Sequence, residues 1–255
     1  MTAEARLRAE AQTPGLAALL CAAFPYANGR EPELPLSRYA RGKDYHLVLR
    51  ERMERASEVL RARYPGKRFD FYADVSPFPE VWAAARAGLG KLGQNGLLLT
   101  ERAGSWVFLG FLATDAPIPG TEQEIVSCCG CGLCRRQCPG QALALPFREE
   151  RCLSAISQRR GALTPEEQTL LRENAILWGC DRCQTVCPEN RRASAQPLPE
   201  FMPLPLPEPG DFQQGDRAFR RAFRERAFTW RGVQPLRRNA DLLAPREVQP
   251  FEKDK

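Results

Sequence analysis

The chain has 255 residues, 43% of them hydrophobic, with 22 prolines, 19 glycines and a formal charge of +6. This length bounds it to one large domain or two small ones, and the apolar share is enough to bury a core, which excludes a disordered polymer. The basic balance permits an anionic partner, although it equally suits an ordinary basic soluble protein.

Residues 1–12 carry charges throughout, and Leu16 to Phe24 is apolar but too short to span a bilayer. Glu4 and Glu10 stand where a signal peptide carries only positive charge, so the expectation is a cytoplasmic protein without a membrane contact. Leu16 to Phe24 reads as a short buried strand or a helical turn, and Pro25, Pro32 and Pro35 then break any regular element. Tyr45 to Arg63 reads as a helix, because Leu47, Leu49, Met53, Ala56, Val59 and Leu60 recur near a 3.6-residue period until Pro65-Gly66. Arg68 to Val75 alternates like a strand, with Phe69, Phe71 and Ala73 on one side. After a turn at Pro77 and Pro79, Glu80 to Leu89 reads as a helix. Leu97 to Leu99 and Trp106 to Ala113 read as two strands joined by a turn at Glu101 to Gly104.

Pro117, Pro119 and Gly120 mark a boundary before the cysteine-rich part. Pro165 to Leu177 reads as a helix with Thr164 as its N-cap. Pro197 to Pro209 reads as extended, Asp211 to Arg226 as a basic helix with Phe212, Phe219 and Phe223 as its apolar members, and residues 246–255 as a frayed charged end. The fold class expected is α+β. It comprises a mixed α/β domain over residues 1–120, a bacterial-ferredoxin-like two-cluster domain over 121–195, and a proline-rich linker with a basic helical region over 196–255.

Ten cysteines in an intracellular setting point to metal or redox chemistry rather than disulfides. Eight form a pattern. Cys128-x2-Cys131-x2-Cys134-x3-Cys138-Pro139 is answered by Cys180, Cys183 and Cys187-Pro188. Three thiolates at two-residue spacing wrap one cubane, and the cysteine before proline ligates the other cluster. Crossed ligation gives one 4Fe–4S cluster from Cys128, Cys131, Cys134 and Cys187, and another from Cys138, Cys152, Cys180 and Cys183. Zinc is the competing reading of paired CxxC motifs, but the triplet and the two Cys-Pro endings favour iron–sulfur. Cys129 neighbours Cys128, but only Cys128 keeps the two-residue spacing to Cys131. Cys21 reads as an inert core residue. Gly88-Leu89-Gly90-Lys91-Leu92-Gly93 has the letter spacing of a dinucleotide loop, yet a helix precedes it and none clearly follows.

The motifs in chain order carry a resemblance. They are Lys43-Asp44-Tyr45-His46, then Asp74 at a strand end, then Ala87-Gly88-Leu89-Gly90-x-x-Gly93-x-Asn95. Gly104-Ser105-Trp106-x-x-Leu109-Gly110 follows, then the cysteine motifs with Cys-Asp-x-Cys-Gln-x-Val-Cys-Pro, and Arg231-Gly232-x-x-Pro235-x-x-Arg238-Asn239-Ala240. Over residues 37–243 the order resembles the epoxyqueuosine reductase family.

The resemblance implies a cobalamin-dependent oxidoreductase that converts epoxyqueuosine to queuosine in tRNA, with two 4Fe–4S clusters delivering electrons to cobalamin. It implies that Asp74 is the proton donor, where the bland alternative is a turn aspartate. A leaving epoxide oxygen needs an acid, and a carboxyl in a covered pocket can have a raised pKa. It places Lys43, Asp44, Tyr45, His46, Gly88, Gly90, Gly93, Asn95, Gly104, Ser105, Leu109 and Gly110 around the cofactor. His46, the single histidine, would otherwise read as structural. The chain reads as a short member, shortened at the N-terminus and without the family's C-terminal helical repeats. Its partners would be tRNA and an external electron donor such as a flavodoxin or ferredoxin. Arg217, Arg220, Arg221, Arg224, Arg226, Arg231, Arg237 and Arg238, with Phe219, Phe223, Phe228 and Trp230 among them, suit phosphate contact and stacking, although the phenylalanine spacing also suits a core face. The alternatives are an iron–sulfur electron carrier and a corrinoid-activating reductase that does not act on tRNA.

Overall fold

In a computed structural model of the chain the described residues are 13–28, 32–120 and 122–244; the charged stretches 1–12 and 246–255 lie outside them. Strand β1 (Ala18–Pro25), β2 (Phe69–Tyr72) and β5 (Val107–Thr114) form an antiparallel sheet of order β1-β5-β2. Leu16 to Phe24 thus resolves as a strand. A pair of two-residue strands, β3 (Lys91–Leu92) and β4 (Leu98–Leu99), makes a second sheet. The strands expected at Leu97 to Leu99 and Trp106 to Ala113 are present, but they belong to different sheets, with only a Thr100–Gly104 bridge between them.

Alternation along the central sheet explains its two faces. Phe24, Phe71 and Phe108 point to one side, against Val48 and Leu49 of helix α1 (Tyr45–Arg63). Leu19, Cys21, Tyr72 and Phe111 point to the other, against Ala84 and Ala85 of α2 (Glu80–Arg86). Gly110 is where α1 comes closest: a Cβ there would meet Phe24, Leu49 and Met53 at 3.2–3.5 Å. Burial pushes the Cys21 thiol up to about 11, which suits an inert residue.

The cysteine region carries short helices, α3 (Leu133–Arg136), α4 (Leu153–Gln158), α5 (Pro165–Glu173), α6 (Arg182–Thr185) and α7 (Pro188–Arg191). Helix α5 ends four residues before the expected Leu177; Thr164 and Glu167 form its capping box. The single basic helix expected over Asp211 to Arg226 is broken. A 3-10 segment spans Pro209–Gln213, and α8 begins only after Gly215, as Asp216–Ala222; α9 (Val233–Leu243) follows.

The expected linker is a packed strap. Leu198 N–H donates to the Pro25 carbonyl, Lys43 N–H to that of Glu200, and Leu204 N–H to that of Arg41, while Phe201 is buried. Phe212, Phe219 and Phe228 join Leu36 and Trp178 in one core with Phe223 packed against it, so the phenylalanines are packing residues, whereas Trp230 stays exposed. Several arginines expected at the surface hold backbone instead. Arg226 is buried on the carbonyls of Pro205 and Arg41, Arg237 bonds those of Phe212 and Gln214, and Arg238 bonds those of Arg159 and Gly161. Among the described residues no helix is long and apolar enough to cross a membrane.

Candidate functional site

Asp74 follows β2 and adopts φ +62°, a left-handed conformation that a non-glycine residue occupies at a cost. The turn aims its carboxylate at the start of α1. Tyr45 donates its hydroxyl to Asp74 Oδ2, and His46 Nε2 lies 3.4 Å from the same oxygen. Asp44 is the N-cap of α1, and its Oδ1 accepts from the His46 backbone N–H at 3.0 Å. The same oxygen lies 2.9 Å from His46 Nδ1. Tyr45 is sandwiched between His46 and Phe108, with ring centroids 4.1 and 4.3 Å away. Asp44, Tyr45, His46 and Asp74 therefore form one connected group. Lys43 is exposed beside it, tied by its backbone.

The hydrogen bonds from His46 to Asp44 and Asp74 outweigh burial and raise the imidazole to about 9, so it is a cation at neutral pH. Burial opposes ionisation of Asp74, but the bonds from His46 and Tyr45 win and hold it below the usual carboxylate range. The raised carboxyl pKa anticipated at Asp74 is therefore not the state of this open site; the proton resides on His46. Burial, together with the Asp74 charge, pushes Tyr45 up strongly.

Asp74 opens onto a shallow pocket of about 480 Å3, walled by Phe78, Val81, Trp82, Leu92, Gly93 and Gly96. Glu80 also faces it. Burial raises its carboxyl, with the Asp74 charge adding to the effect, and its Oε1 is buried without a hydrogen-bond partner. Sequence reasoning passed over Glu80 as the first residue of a helix. Its position six residues after Asp74, at the N-terminus of α2, is the signal that was there.

The remaining expected cofactor residues separate. Gly93 walls the Asp74 pocket, and it closes a tight turn in which a Cβ would strike Asn95 Oδ1 at 2.3 Å. Asn95 holds that turn by accepting from Leu97 N–H. Gly88 and Gly90 flank the end of α2 outside the pocket, Gly90 against the Leu99 carbonyl. Gly104, Ser105, Leu109 and Gly110 do not line the pocket either. Leu109 and Gly110 pack within the sheet layers, because β5 is the central strand and both of its faces are covered. Gly104 lies against Asn190, and Ser105 is buried in a polar network with the second cysteine segment. Ser105 N–H donates to Asn190 Oδ1 at 2.7 Å, Ser105 Oγ donates to Gln184 Oε1 at 2.9 Å, and Asn190 Nδ2 donates to the Gln184 carbonyl at 2.8 Å. Asp181 is fixed likewise by Ser37 Oγ and Arg38 N–H. Asp181 and Gln184 stand inside the Cys-Asp-x-Cys-Gln motif, which signals them; Asn190 lies beyond it.

The cysteines of this region fall into two groups. Cys128, Cys129, Cys131, Cys134 and Cys187 line one small cavity, and Cys128, Cys131 and Cys187 are the ones that act electrostatically on Cys134. Cys180 and Cys183 are half-buried with Cys138 and Cys152 as neighbours; desolvation pushes Cys180 up to about 12 and raises Cys183 too. Desolvated thiols of this kind ionise when a cationic metal centre compensates the charge. Among the described residues no three His, Cys, Asp or Glu side chains converge as they would on a single metal ion. A cubane asks for a different arrangement, four thiolates spread around an inorganic core.

The first group adjoins the Asp74 pocket through one wall. Cys128 N–H donates to the Leu92 carbonyl, and Leu92 N–H to that of Val126, so the cysteine loop extends the edge of β3. Gly93 lines both cavities.

Comparison with known proteins agrees with this geometry. Residues 127–190 match the 4Fe-4S double cluster binding domain, and residues 6–75 match the model described as epoxyqueuosine reductase QueG, DUF1730. The chain is 35% identical to the epoxyqueuosine reductase of Lactococcus garvieae over 80% of its own length and 59% of that protein's. It is 32% identical to that of Bacillus cereus over 94% and 66%. A crystal structure of epoxyqueuosine reductase with an epoxyqueuosine-modified tRNA-Tyr stem loop superposes with a TM-score of 0.80 at 29% identity, covering 92% of this chain and 66% of the other. A Bacillus subtilis epoxyqueuosine reductase structure, described with its catalytic loop swung out of the active site, superposes at 0.78 and 29% identity with the same coverage. The chain thus spans about three fifths to two thirds of the length of these relatives. On these matches and on its paired cysteine centres, the chain belongs to the epoxyqueuosine reductase family.

Proposed function

We propose that this chain reduces the epoxide of epoxyqueuosine in tRNA to the alkene of queuosine, with Asp74 delivering a proton to the departing oxygen. The reaction consumes two electrons and two protons and releases the oxygen as water. The observation that carries the reading is the shared wall at Leu92 and Gly93, with the acid–base group on one side and the Cys128, Cys131, Cys134 and Cys187 group on the other.

The residues fit the cofactors. Two groups of four cysteines suit two 4Fe–4S clusters that pass single electrons. The open apolar wall of Phe78, Val81, Trp82 and Leu92, with Gly93 and Gly96 beside it, suits the flat face of a corrin. Cobalamin bound there would supply a strongly reducing centre for the epoxide-bearing ring. The protein's own residues govern the proton. His46 holds it at Nε2, 3.4 Å from Asp74 Oδ2, and the Tyr45 hydroxyl fixes the carboxylate's orientation. When substrate covers the pocket, Asp74 loses water, its charged form becomes costlier, and transfer from His46 through Asp74 becomes favourable. Asp44, Tyr45 and His46 act on this site through Asp74, with Lys43 beside them, and Gly93 walls it, its turn held by Asn95. The enzyme would work in the cytoplasm, on tRNA, with an external electron donor. We read residues 1–120 as the substrate and cofactor half, 121–195 as the cluster half, and the segment from 196 as a strap across both.

The test is turnover. The reconstituted protein, with cobalamin, a reductant and an epoxyqueuosine-containing tRNA stem loop, is followed by nucleoside mass spectrometry. Loss of one oxygen from the nucleoside is expected. An intact epoxide with both clusters and cobalamin in place would overturn the reading in favour of an electron carrier.

A further inference from the structure

We propose that the groove beside Cys152 is the docking surface for an acidic one-electron carrier protein, which reduces the cluster centre at Cys138, Cys152, Cys180 and Cys183. This rests on the proposed function and adds the point of electron entry.

The two cysteine groups are not equivalent. The Cys128 group abuts the reaction pocket through Leu92 and Gly93. The Cys138 group instead reaches the surface: Cys152 lines an open groove of about 820 Å3 together with Phe147, Gln158, Arg160, Trp230 and Arg231. An electron path therefore has an inner end at the pocket and an outer end at this groove.

The groove has the composition of a transient protein interface. Trp230 is 53% exposed and Phe147 55%, and Leu145 in the same loop is 86% exposed. Large apolar side chains left in water this close together mark a contact surface. The tryptophan is held ready rather than loose. Its Nε1 donates to Gln158 Oε1 at 3.3 Å, and the Arg231 guanidinium lies over its ring at 3.8 Å. Arg160 Nε donates to the Arg231 carbonyl, which sets a second guanidinium on the same rim. Arg159 also lines the groove but is paired with Glu167 at 2.5 Å, so Arg160 and Arg231 are the cations that complement an acidic partner. Glu149 and Glu150 stand on the same lining, so its charge is mixed and the attraction for an acidic partner is confined to the Arg160–Arg231 rim. A small, partly apolar, charge-steered patch is the kind used by weak electron-transfer encounters.

The test uses the full chain with both clusters reconstituted. A photoreduced flavodoxin of net negative charge serves as the protein donor, and dithionite serves as the small one. Bleaching of the cluster absorbance is followed by stopped flow in wild type, in the Arg160→Glu/Arg231→Glu double variant and in Trp230→Ala. Reduction by flavodoxin is expected to slow by about tenfold in the charge-reversed variant and to lose its salt dependence, while dithionite acts at the wild-type rate. Unchanged flavodoxin rates in both variants would overturn the docking site. Equal slowing with dithionite would also overturn it, because the groove would then only support the cluster. Loss confined to binding of a tRNA stem loop would reassign the face to RNA and overturn it as well. Groove-dependent reduction in a protein that leaves epoxyqueuosine untouched would uphold the docking site and sink the proposed function instead. Failure to assemble clusters would overturn both.

Discussion

The acid–base group and the cysteine centres are built by opposite means. Asp44, Tyr45 and His46 occupy consecutive positions at the start of one helix, and only Asp74 joins them from elsewhere, on an exposed left-handed turn. The cysteine centres hang on long-range buried contacts. Asn190 reaches Ser105, Gln184 reaches Tyr26, and Asp181 reaches Ser37, each across more than seventy-five positions of chain. A group proposed to exchange protons stays near water and close to a helix N-terminus, where its charge is adjustable. Ligands that must hold a cluster need a rigid, fully satisfied shell, because a buried polar group without its partner is expensive.

That contrast can be broken at several points. The largest effect is expected from Cys183→Ser, which should reduce iron from about eight atoms per chain to about four and leave no detectable epoxide reduction. Iron content with electron paramagnetic resonance checks it, and full iron content would remove Cys183 from the ligand set. Asp74→Asn comes next: turnover should fall about a hundredfold or more, the usual worth of a positioned acid, with both clusters retained. Single-turnover kinetics at saturating stem loop measures the loss, and near-wild-type rates would disqualify the carboxyl as donor.

Asn190→Ala strikes the other region. It strips the buried Ser105 N–H of its acceptor and should cost about 2 kcal/mol of stability, with looser cluster retention. Denaturant unfolding of the holoprotein reads this directly, and a change near zero would mean that the network is not the anchor.

The smallest effect concerns His46. Its bonds to Asp44 and then Asp74 raise it from 6.5 to about 9. A raised pKa means that the protonated form is favoured by folding. The contribution is full below about 6.5 and is lost as pH rises through about 9; with the side chain half exposed, it is modest. Asp74 has the reverse sign: its pKa is lowered, so its contribution is present above 3.8 and fades as pH falls through its lower folded value. Because the chain has a single histidine, one imidazole resonance reports the first titration without ambiguity. In Asp44→Asn that titration should move down toward the ordinary value, and an unmoved midpoint would break the link between Asp44 and His46.

Local chemistry was readable where neighbouring residues carry it. Tyr45–Arg63 follows from its apolar period, the Thr164 N-cap from its residue type and position, and double-cluster iron–sulfur chemistry from the cysteine spacing. Neighbouring residues could not reveal the destinations of long-range bonds. Leu97 to Leu99 and Trp106 to Ala113 look like a hairpin because nothing local shows that β5 is claimed on both edges by β1 and β2. Arg226, Arg237 and Arg238 look like a phosphate-binding row until the carbonyls that they cap come into view. Gly104 and Ser105 carry family motif letters, yet burial against Asn190 makes them part of the cluster scaffold. By itself, then, the sequence determined the ligand chemistry and the helix that carries Tyr45 and His46, since both are short-range. Only the tertiary structure decided that one wall, Leu92 and Gly93, separates the acid–base group from the first cysteine set, because that meeting depends on a loop from β3 pairing with Val126 and Cys128 far along the chain.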